Sequence, residues 1–575
     1  MQYGSAKCNT GQLSERADPT LELRAFYLTK SLIKGANSDG VALRFMPIDQ
    51  SSPRETNVPD TDVLIVGAGP TGLVLALWLA RLGVRVRIID QTAEPGTTSR
   101  ALAVQARTLE FYRQVGLADA VVERGHKVVA GNIWVSGAHA SRFVFGAIGE
   151  GISPYSYALI FPQDEHERLL IDRLVESGVK VERQTELVDF EETNGRVRAR
   201  LKRADGAIEA CTASYIAGCD GARSTVREAL GIGFPGGVYN HLFYVADVEA
   251  SGVTMNGELH VALDATDFLA VFPLKDRSRA RLIGTVRAEA EHQHQDHHDQ
   301  ELSWNDVSKR VIEWMRIDVA RVNWFSTYRV HHRVADHFRI GRAFILGDAA
   351  HIHSPVGGQG MNTGIGDAVN LAWKLAGVVR GRANASILDS YEPERIAFAR
   401  RLVATTDRTF TGVTSSGPIA RRVRMNIAPL VLPLLFKFAT LRRFIFRTVS
   451  QTAVNYRGSS LSEGRAGTVH GGDRLPWVKA DLNGVGDNFM PLTSLAWQVQ
   501  VYGEVTPEIQ AMCDDRKLPL HVFPWRPEIG RIGLRRNAIY LVRPDGYVAL
   551  VDSEGSAKAV ASYLEARQLC DVVKA

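Results

Sequence analysis

The chain has 575 residues, 45% of them hydrophobic and 23% charged, with a formal net charge of +5. That length exceeds one core and implies roughly two or three domains. The small positive charge is not gathered into a basic tract or finger motif, which argues against a nucleic-acid-binding chain.

Residues 1–57 carry no signal-peptide core and include Glu15, Asp18 and Glu22, so a flexible extension is expected, with a short helix over Leu21–Ile33. From Asp62 the character changes. DVLIVGAG is a buried-strand run, PTGLVLALWLARLG has helical spacing, and VRVRIID is a second strand ending at Asp90. This strand–turn–helix–strand unit opens a doubly wound nucleotide-binding sheet. A helix is expected over Ala101–Gly116, strands at GNIWVS and ALIFPQ, and a helix over DEHERLLIDRLVESG capped by Gly178. VKVERQTELVDFEE and VRARLKR look like strands of a second antiparallel layer.

Residues 236–330 are mostly strand and read as a sheet domain inserted into the nucleotide-binding fold. At RAFILGDAAH the chain returns to a buried strand, then enters a long helix near GMNTGIGDAVNLAWKLAGVVRG and stays helical to about Tyr456. The apolar stretch Asn426–Phe446 is broken by Pro429, Pro433, Lys437, Arg442 and Arg443, and a packed helical segment is expected rather than a membrane span. A membrane-surface or substrate-channel helix is the other reading. The last hundred or so residues alternate strand and helix, as a separate small α/β domain would.

The cysteines, Cys8, Cys211, Cys219, Cys513 and Cys570, are odd in number and lack CxxC spacing. A disulfide framework, a zinc site and a dithiol centre are disfavoured, and a reducing, cytoplasmic setting is expected. His292, His294, His297 and His298 sit in a polar run without metal-ligand spacing and read as a solvated loop.

The chemistry is carried by Gly67-Ala68-Gly69-Pro70-Thr71-Gly72, between strand and helix. Gly67 permits the tight turn, Gly69 lets the backbone approach a pyrophosphate, and Gly72 allows close helix–sheet packing. The phosphates then meet free N–H groups at the helix start, and Asp90 is placed to accept hydrogen bonds from ribose hydroxyls. A second GxGxxG match, Gly231 to Gly236, follows a helix and precedes strands, so it lacks the context and is set aside.

Two further segments, Cys219-Asp220-Gly221-Ala222-Arg223-Ser224 and Gly347-Asp348-Ala349-Ala350-His351, complete a pattern. With them the chain resembles the class A flavoprotein monooxygenases, the family of para-hydroxybenzoate hydroxylase and phenol hydroxylase, from about Asp62 to the C-terminus. The resemblance implies an α/β fold: an FAD-binding doubly wound (Rossmann-like) domain over 58–235 and 331–456, an inserted antiparallel-sheet substrate domain over 236–330, and a C-terminal thioredoxin-like α/β domain over 465–575. It implies FAD as cofactor and NADPH or NADH as co-substrate. Gly67, Gly69, Gly72 and Asp90 would hold the ADP half, Arg100 the diphosphate and Gln163 the ribityl chain. Asp220 and Arg223 would serve FAD and the nicotinamide nucleotide. Gly347 and Asp348 would hold the ribityl and pyrophosphate region, with Pro355 at the reactive flavin edge and Gly360, Met361 and Asn362 at the pyrimidine end. The family often has glutamate where Asp90 stands.

The implied cycle reduces FAD, forms a flavin C4a-hydroperoxide with O2 and hydroxylates an electron-rich aromatic ring. Baeyer–Villiger oxidation or epoxidation on the same scaffold, and a non-catalytic flavin-binding protein, stay open; the tryptophan motif of flavin halogenases is missing from the sequence. A base or hydroxyl relay near a phenolic substrate is expected, with His351, Tyr244, His241 and Pro355 as catalytic candidates. Phe243, Tyr244, Phe268 and Phe272 are candidates to line the pocket. The terminal domain lacks CxxC; Cys513 stands beside Asp514 and Asp515, so packing or a homodimer contact is expected of it rather than redox chemistry.

Overall fold

A computed structural model describes residues 60–96, 101–144, 149–264, 268–286, 302–354, 358–414, 422, 438–480 and 486–569. The chain divides into the units Met1–Asn57 and Val58–Ala575, and the first lies outside the described residues, as do the helix expected at Leu21–Ile33 and the histidine run. The elements used below are β1 (Thr61–Val66), α1 (Pro70–Arg81), β2 (Val86–Ile89), α2 (Ala106–Gln114), β3 (Ile208–Gly218), β4 (Gly236–Gly252), β5 (Ala343–Ile345), α3 (Gly360–Val379) and α4 (Tyr391–Thr414).

In β1, Val63 to Val66 are all buried, as a strand covered on both faces requires. Parallel neighbours flank it: Val63 pairs with Tyr215 of β3 on one side and with Val86 of β2 on the other. β5 adds to β3, and the short strand Val181–Glu182 adds to β2, both parallel. α1 starts with Pro70, whose missing N–H costs nothing in a first turn, and buries Gly72 to Leu79 against the sheet and α3. The hairpin of Glu186–Thr193 and Arg196–Lys202, expected as a second layer, instead extends this same sheet. β3 is long enough to pair with β1 through its second half and with the hairpin through its first. The Ala101–Gly116 helix is shorter than expected: Ala103–Val104 form a strand against Ala158–Ile160, and α2 begins at Ala106.

Among the described residues a second eight-stranded sheet runs in the order His351–Ile352, Ile317–Val334, β4, Arg279–Thr285, Phe268–Pro273, Leu259–Leu263, Ala130–Val135, Ala138–Val144. It therefore exceeds 236–330. Ala130–Val135 joins it by parallel pairing with Leu259–Leu263, and Ile317–Val334 runs on to meet His351–Ile352. The discarded glycine motif ends at Gly236, which opens β4, not a helix. Of Asn426–Phe446, the described part contains the start of the helix Ala439–Val449, in which Phe446 is buried while Phe444, and Phe438 just before the helix, are exposed. No helix among the described residues is long and apolar enough to cross a membrane.

The C-terminal domain is a mixed six-stranded sheet with helices Pro507–Asp515 and Ala557–Ala566, N-capped by Thr506 and Ser556. Cys513 is buried there, and burial pushes its thiol up to about 11. This part shares the main apolar core with the rest, as where Trp373 meets Trp497 edge-on, and buried ion pairs add to that contact. Arg543 donates to both carboxylate oxygens of Glu394 at 2.8 and 3.1 Å and to Asp545 at 2.6 Å. Lys374 of α3 reaches the same Glu394 at 2.9 Å, and Trp373 Nε1 reaches Asp545 at 3.1 Å. A second knot joins Arg474 to Glu110 of α2 at 2.8 Å, with Arg107 and Ser153 completing the carboxylate's partners. Arg543, Lys374 and Glu394 have no solvent-exposed side-chain surface, so removing one leaves the others charged in a low-dielectric interior. Arg543→Met is expected to destabilise the protein by about 3–5 kcal/mol. Urea unfolding should show a lowered midpoint, whereas Arg536→Met, at an exposed pair with Glu504, should leave it nearly unchanged.

Candidate active site

The sequence motifs stand at the carboxyl ends of adjacent parallel strands. β1 leads into Gly67–Gly72, β2 into Asp90, β3 into Cys219–Ser224 and β5 into Gly347–His351. In an open parallel sheet that edge is where ligands bind. Gly67 has φ +100°, and a Cβ there would lie 2.3 Å from the Cys219 carbonyl oxygen. The first two motifs are thus in backbone contact, and only glycine fits. A Cβ on Gly72 would lie 2.0 Å from the Gly67 carbonyl oxygen, so glycine is what lets helix and turn meet. Above Gly69 there is open space to 4 Å.

Asp90 accepts from the Ala68 N–H at 2.7 Å, the Thr92 N–H at 2.8 Å and the Thr92 hydroxyl at 2.6 Å. Gln163 starts the helix Gln163–Glu176, and its amide donates to Glu167 at 2.8 Å. In the second motif Ser224 caps the helix Thr225–Ala229, and Asp220 Oδ2 accepts from Val226 N–H at 3.1 Å. Asp220 Oδ1 is buried without a hydrogen-bond partner, and burial raises the acid's pKa. Arg223 is exposed. Arg227, which the sequence reading passed over, links the motifs. It donates to the carbonyls of Ala349 at 3.0 Å and Ala222 at 2.9 Å and stacks 4.1 Å over the Phe234 ring.

In the third motif Gly347 has φ +59°, and a Cβ there would lie 2.7 Å from Thr71 Oγ1. Asp348 is exposed, between the buried Gly347 and Ala349. His351 faces inward: its Nε2 lies 2.7 Å from Asp367 Oδ2, which also accepts from the Gly347 N–H at 3.0 Å. Arg395 of α4 donates to the other oxygen at 2.6 Å. Burial works against the charged form of Asp367, but Arg395 and His351 outweigh it and hold its pKa below the ordinary value. His351 is therefore corrected from catalytic candidate to structural residue, because its ring is committed to a buried carboxylate. At the start of α3, the Asn362 side chain accepts from the Gln105 N–H and the Thr108 hydroxyl and donates to the carbonyls of Ala103 and Gly358. Its side chain thus ties α3 to the strand Ala103–Val104 and the start of α2, and closes on the segment before α3. Met361 is partly buried against the same core, and Gly360 begins the helix.

The second sheet presents one face to this edge. Phe243 packs with Phe268 and Tyr328, and that face continues through Val245, Phe272 and Ile283 to Leu102 and Ile160 of the nucleotide-binding part. Tyr244, the next residue on β4, points the other way, stacking on Phe325 and meeting Trp304 edge-on. Strand alternation thus removes Tyr244 from both the catalytic and the pocket-lining candidates. Arg100 and Pro355 lie outside the described residues, as does the side chain of His241. Among the described residues no group of His, Cys, Asp and Glu is arranged to hold a metal ion.

The fold and site define a dinucleotide-binding oxidoreductase scaffold with a separate aromatic-faced sheet. A family model described as an FAD binding domain matches residues 60–406. The 6-methylpretetramide 4-monooxygenase of Streptomyces rimosus is 34% identical over 551 residues, covering 90% of this chain and 95% of that one. The pentachlorophenol 4-monooxygenase of Sphingobium chlorophenolicum is 31% identical, covering 72% and 76%. Among solved structures, the anhydrotetracycline hydroxylase of Streptomyces rimosus superposes with a TM-score of 0.70 at 27% identity, over 89% of this chain and 99% of that one. The chain belongs to the FAD-dependent aromatic monooxygenases of the class A flavoprotein type.

Three buried carboxylates, Asp367, Glu110 and Glu394, have folded pKa values below their ordinary ones, because neighbouring cations outweigh the burial that opposes ionisation. Their stabilisation is complete above the unfolded values of about 4 and is lost as pH falls toward the folded ones. Burial also pushes the imidazoles of His166 down to about 3 and of His260 and His353 down to about 4, so they take up protons between pH 7 and pH 5 only when the chain unfolds. The urea midpoint is therefore expected to fall gradually from about pH 7 to about pH 5 and more steeply below about pH 4; a flat profile across that range would contradict this electrostatic account.

Proposed function

We propose that the chain uses NAD(P)H and O2 to hydroxylate a phenolic or polyketide-like aromatic ring, with FAD bound along the carboxyl edge of β1, β2, β3 and β5. The convergence of the glycine and aspartate motifs on that one edge, beside the aromatic face of the second sheet, carries this reading. Open space over Gly69 and the unpartnered Asp220 Oδ1 fit a bound dinucleotide better than a closed turn. FAD, when bound and reduced by NAD(P)H, supplies the activated oxygen.

The protein's part is binding, orientation and exclusion of water. The start of α1 offers N–H groups to the diphosphate, and Asp348, exposed at the end of β5, would meet the ribityl region. The first turn of α3, at Gly360 to Asn362, would hold the pyrimidine end of the flavin, where the helix's positive end favours negative charge. Phe243, Phe268 and Tyr328 form an apolar wall for the ring to be hydroxylated. With His351 and Tyr244 turned elsewhere, Tyr239 and Tyr328 are phenolic side chains packed with this face, and His332 lies 4.8 Å from Tyr239 between ring centroids. A substrate phenol's proton would be received there.

Incubation with a panel of phenols, hydroxybenzoates and polycyclic aromatics is expected to stimulate NAD(P)H oxidation and O2 uptake, with mass spectrometry showing a gain of one oxygen. A yellow protein that does neither would favour a non-catalytic flavin-binding role. Oxygen inserted beside a ketone would point to Baeyer–Villiger chemistry. Asp348→Ala should remain folded by circular dichroism yet bind FAD roughly tenfold to a hundredfold more weakly, the cost of one charge-assisted hydrogen bond. Normal flavin affinity in that variant would refute the placement of the cofactor.

A further inference from the structure

Arg183 follows the strand Val181–Glu182, which lies beside β2 at the same edge of the sheet. Its guanidinium covers the turn after β2. Nη1 donates to Thr92 Oγ1 at 3.1 Å and to the Glu94 carbonyl at 3.4 Å, and stands 3.6 Å from Asp90 Oδ1. Nη2 is buried and has no hydrogen-bond partner. A guanidinium nitrogen held out of water without an acceptor is costly, and such a group in a native fold calls for a partner.

The neighbouring carboxylate shows what that partner is. In doubly wound nucleotide-binding sheets the acid at the end of the second strand meets the adenosine ribose. Here that acid is Asp90, one methylene shorter than glutamate, and its oxygens already accept from Ala68 N, Thr92 N and Thr92 Oγ1. A carboxylate has about four acceptor positions, so little of Asp90 is left for two ribose hydroxyls. Arg183 supplies an unused donor beside it.

We propose that Arg183 Nη2 donates a hydrogen bond to the adenosine ribose hydroxyl oxygens of bound FAD, making the ribose contact that Asp90 alone is too short and too committed to complete. The inference rests on the FAD reading above and adds a binding residue to it. Asp90 then acts mainly to brace the turn and to neutralise Arg183.

The test is a titration of the full chain, stripped of flavin, with FAD, with FMN, and with an FAD analogue built on 2′,3′-dideoxyadenosine, read by flavin fluorescence. The wild-type chain is expected to prefer FAD to the analogue by about tenfold or more. Arg183→Met should bind FAD about tenfold more weakly, bind FMN as the wild type does, and lose most of the preference for FAD over the analogue. Wild-type affinity for FAD in Arg183→Met would overturn the proposal. So would an undiminished preference in that variant, because a merely loosened turn weakens both dinucleotides alike. Should Arg183→Met not fold, Arg183→Gln, which keeps an N–H donor without the charge, runs through the same cycle and must show a smaller preference than the wild type. A wild-type chain that takes up none of the three flavins would sink the FAD reading itself, and so fails distinguishably.

Discussion

The carboxylate of Asp367 joins three parts of the chain that are distant in sequence. It accepts from the backbone of Gly347 and lies against His351, both in the turn after β5, and it takes Arg395 from α4, while itself sitting on α3. Because the group is fully buried, each of these partners is needed to keep it charged. The turn that exposes Asp348 and the helix whose first turn faces the same edge are consequently fixed relative to each other. Loosening one would displace the other. The site's geometry follows from this buried anion more than from any residue that could touch a ligand.

A similar logic explains the terminal domain. Its Arg543 and Arg474 reach Glu394 and Glu110 on or beside the helices α3, α4 and α2 that frame the edge, and Asn362 links α3 to α2 directly. With Cys513 buried and its thiol pushed well above the ordinary range, the domain has no reactive sulfur among its described residues. It braces these helices through its ion pairs and through apolar contacts such as Trp373 of α3 against Trp497.

The backbone of the site could be read from the sequence because its demands are local. Gly67 and Gly72 are required by approach distances under about 3 Å, which no other residue tolerates, and β1 and α1 announce themselves by period. What escaped was long-range. Asp367, Arg395 and Arg227 lie in ordinary helical stretches, and nothing in their spacing says that they converge on one turn. The face occupied by Tyr244 was equally hidden, because Phe243 and Tyr244 are both buried aromatics on a strand covered on both sides, and alternation alone does not say which face looks toward the nucleotide-binding part. His351 was ambiguous for a related reason: a motif histidine reads the same whether it meets a substrate or a buried aspartate. The wider second sheet was missed because Ala130–Val135 joins it by parallel pairing from more than a hundred residues away.

These features separate the two tasks of the molecule. The edge formed by β1, β2, β3 and β5 is built from glycines in tight backbone contact, so its turns have little freedom to vary. The aromatic face of β4 and its neighbours is held by packing, which tolerates exchange of one apolar side chain for another of similar volume. Under the proposed function, discrimination among aromatic substrates would arise on the second sheet, at positions such as Phe243, Phe268 and Tyr328, while on the opposite face Tyr244 packs against Phe325 and Trp304. A change at Tyr244 would act on stability before it acted on chemistry, since Gly284 pairs with it across the strands and has no side chain precisely where its ring lies.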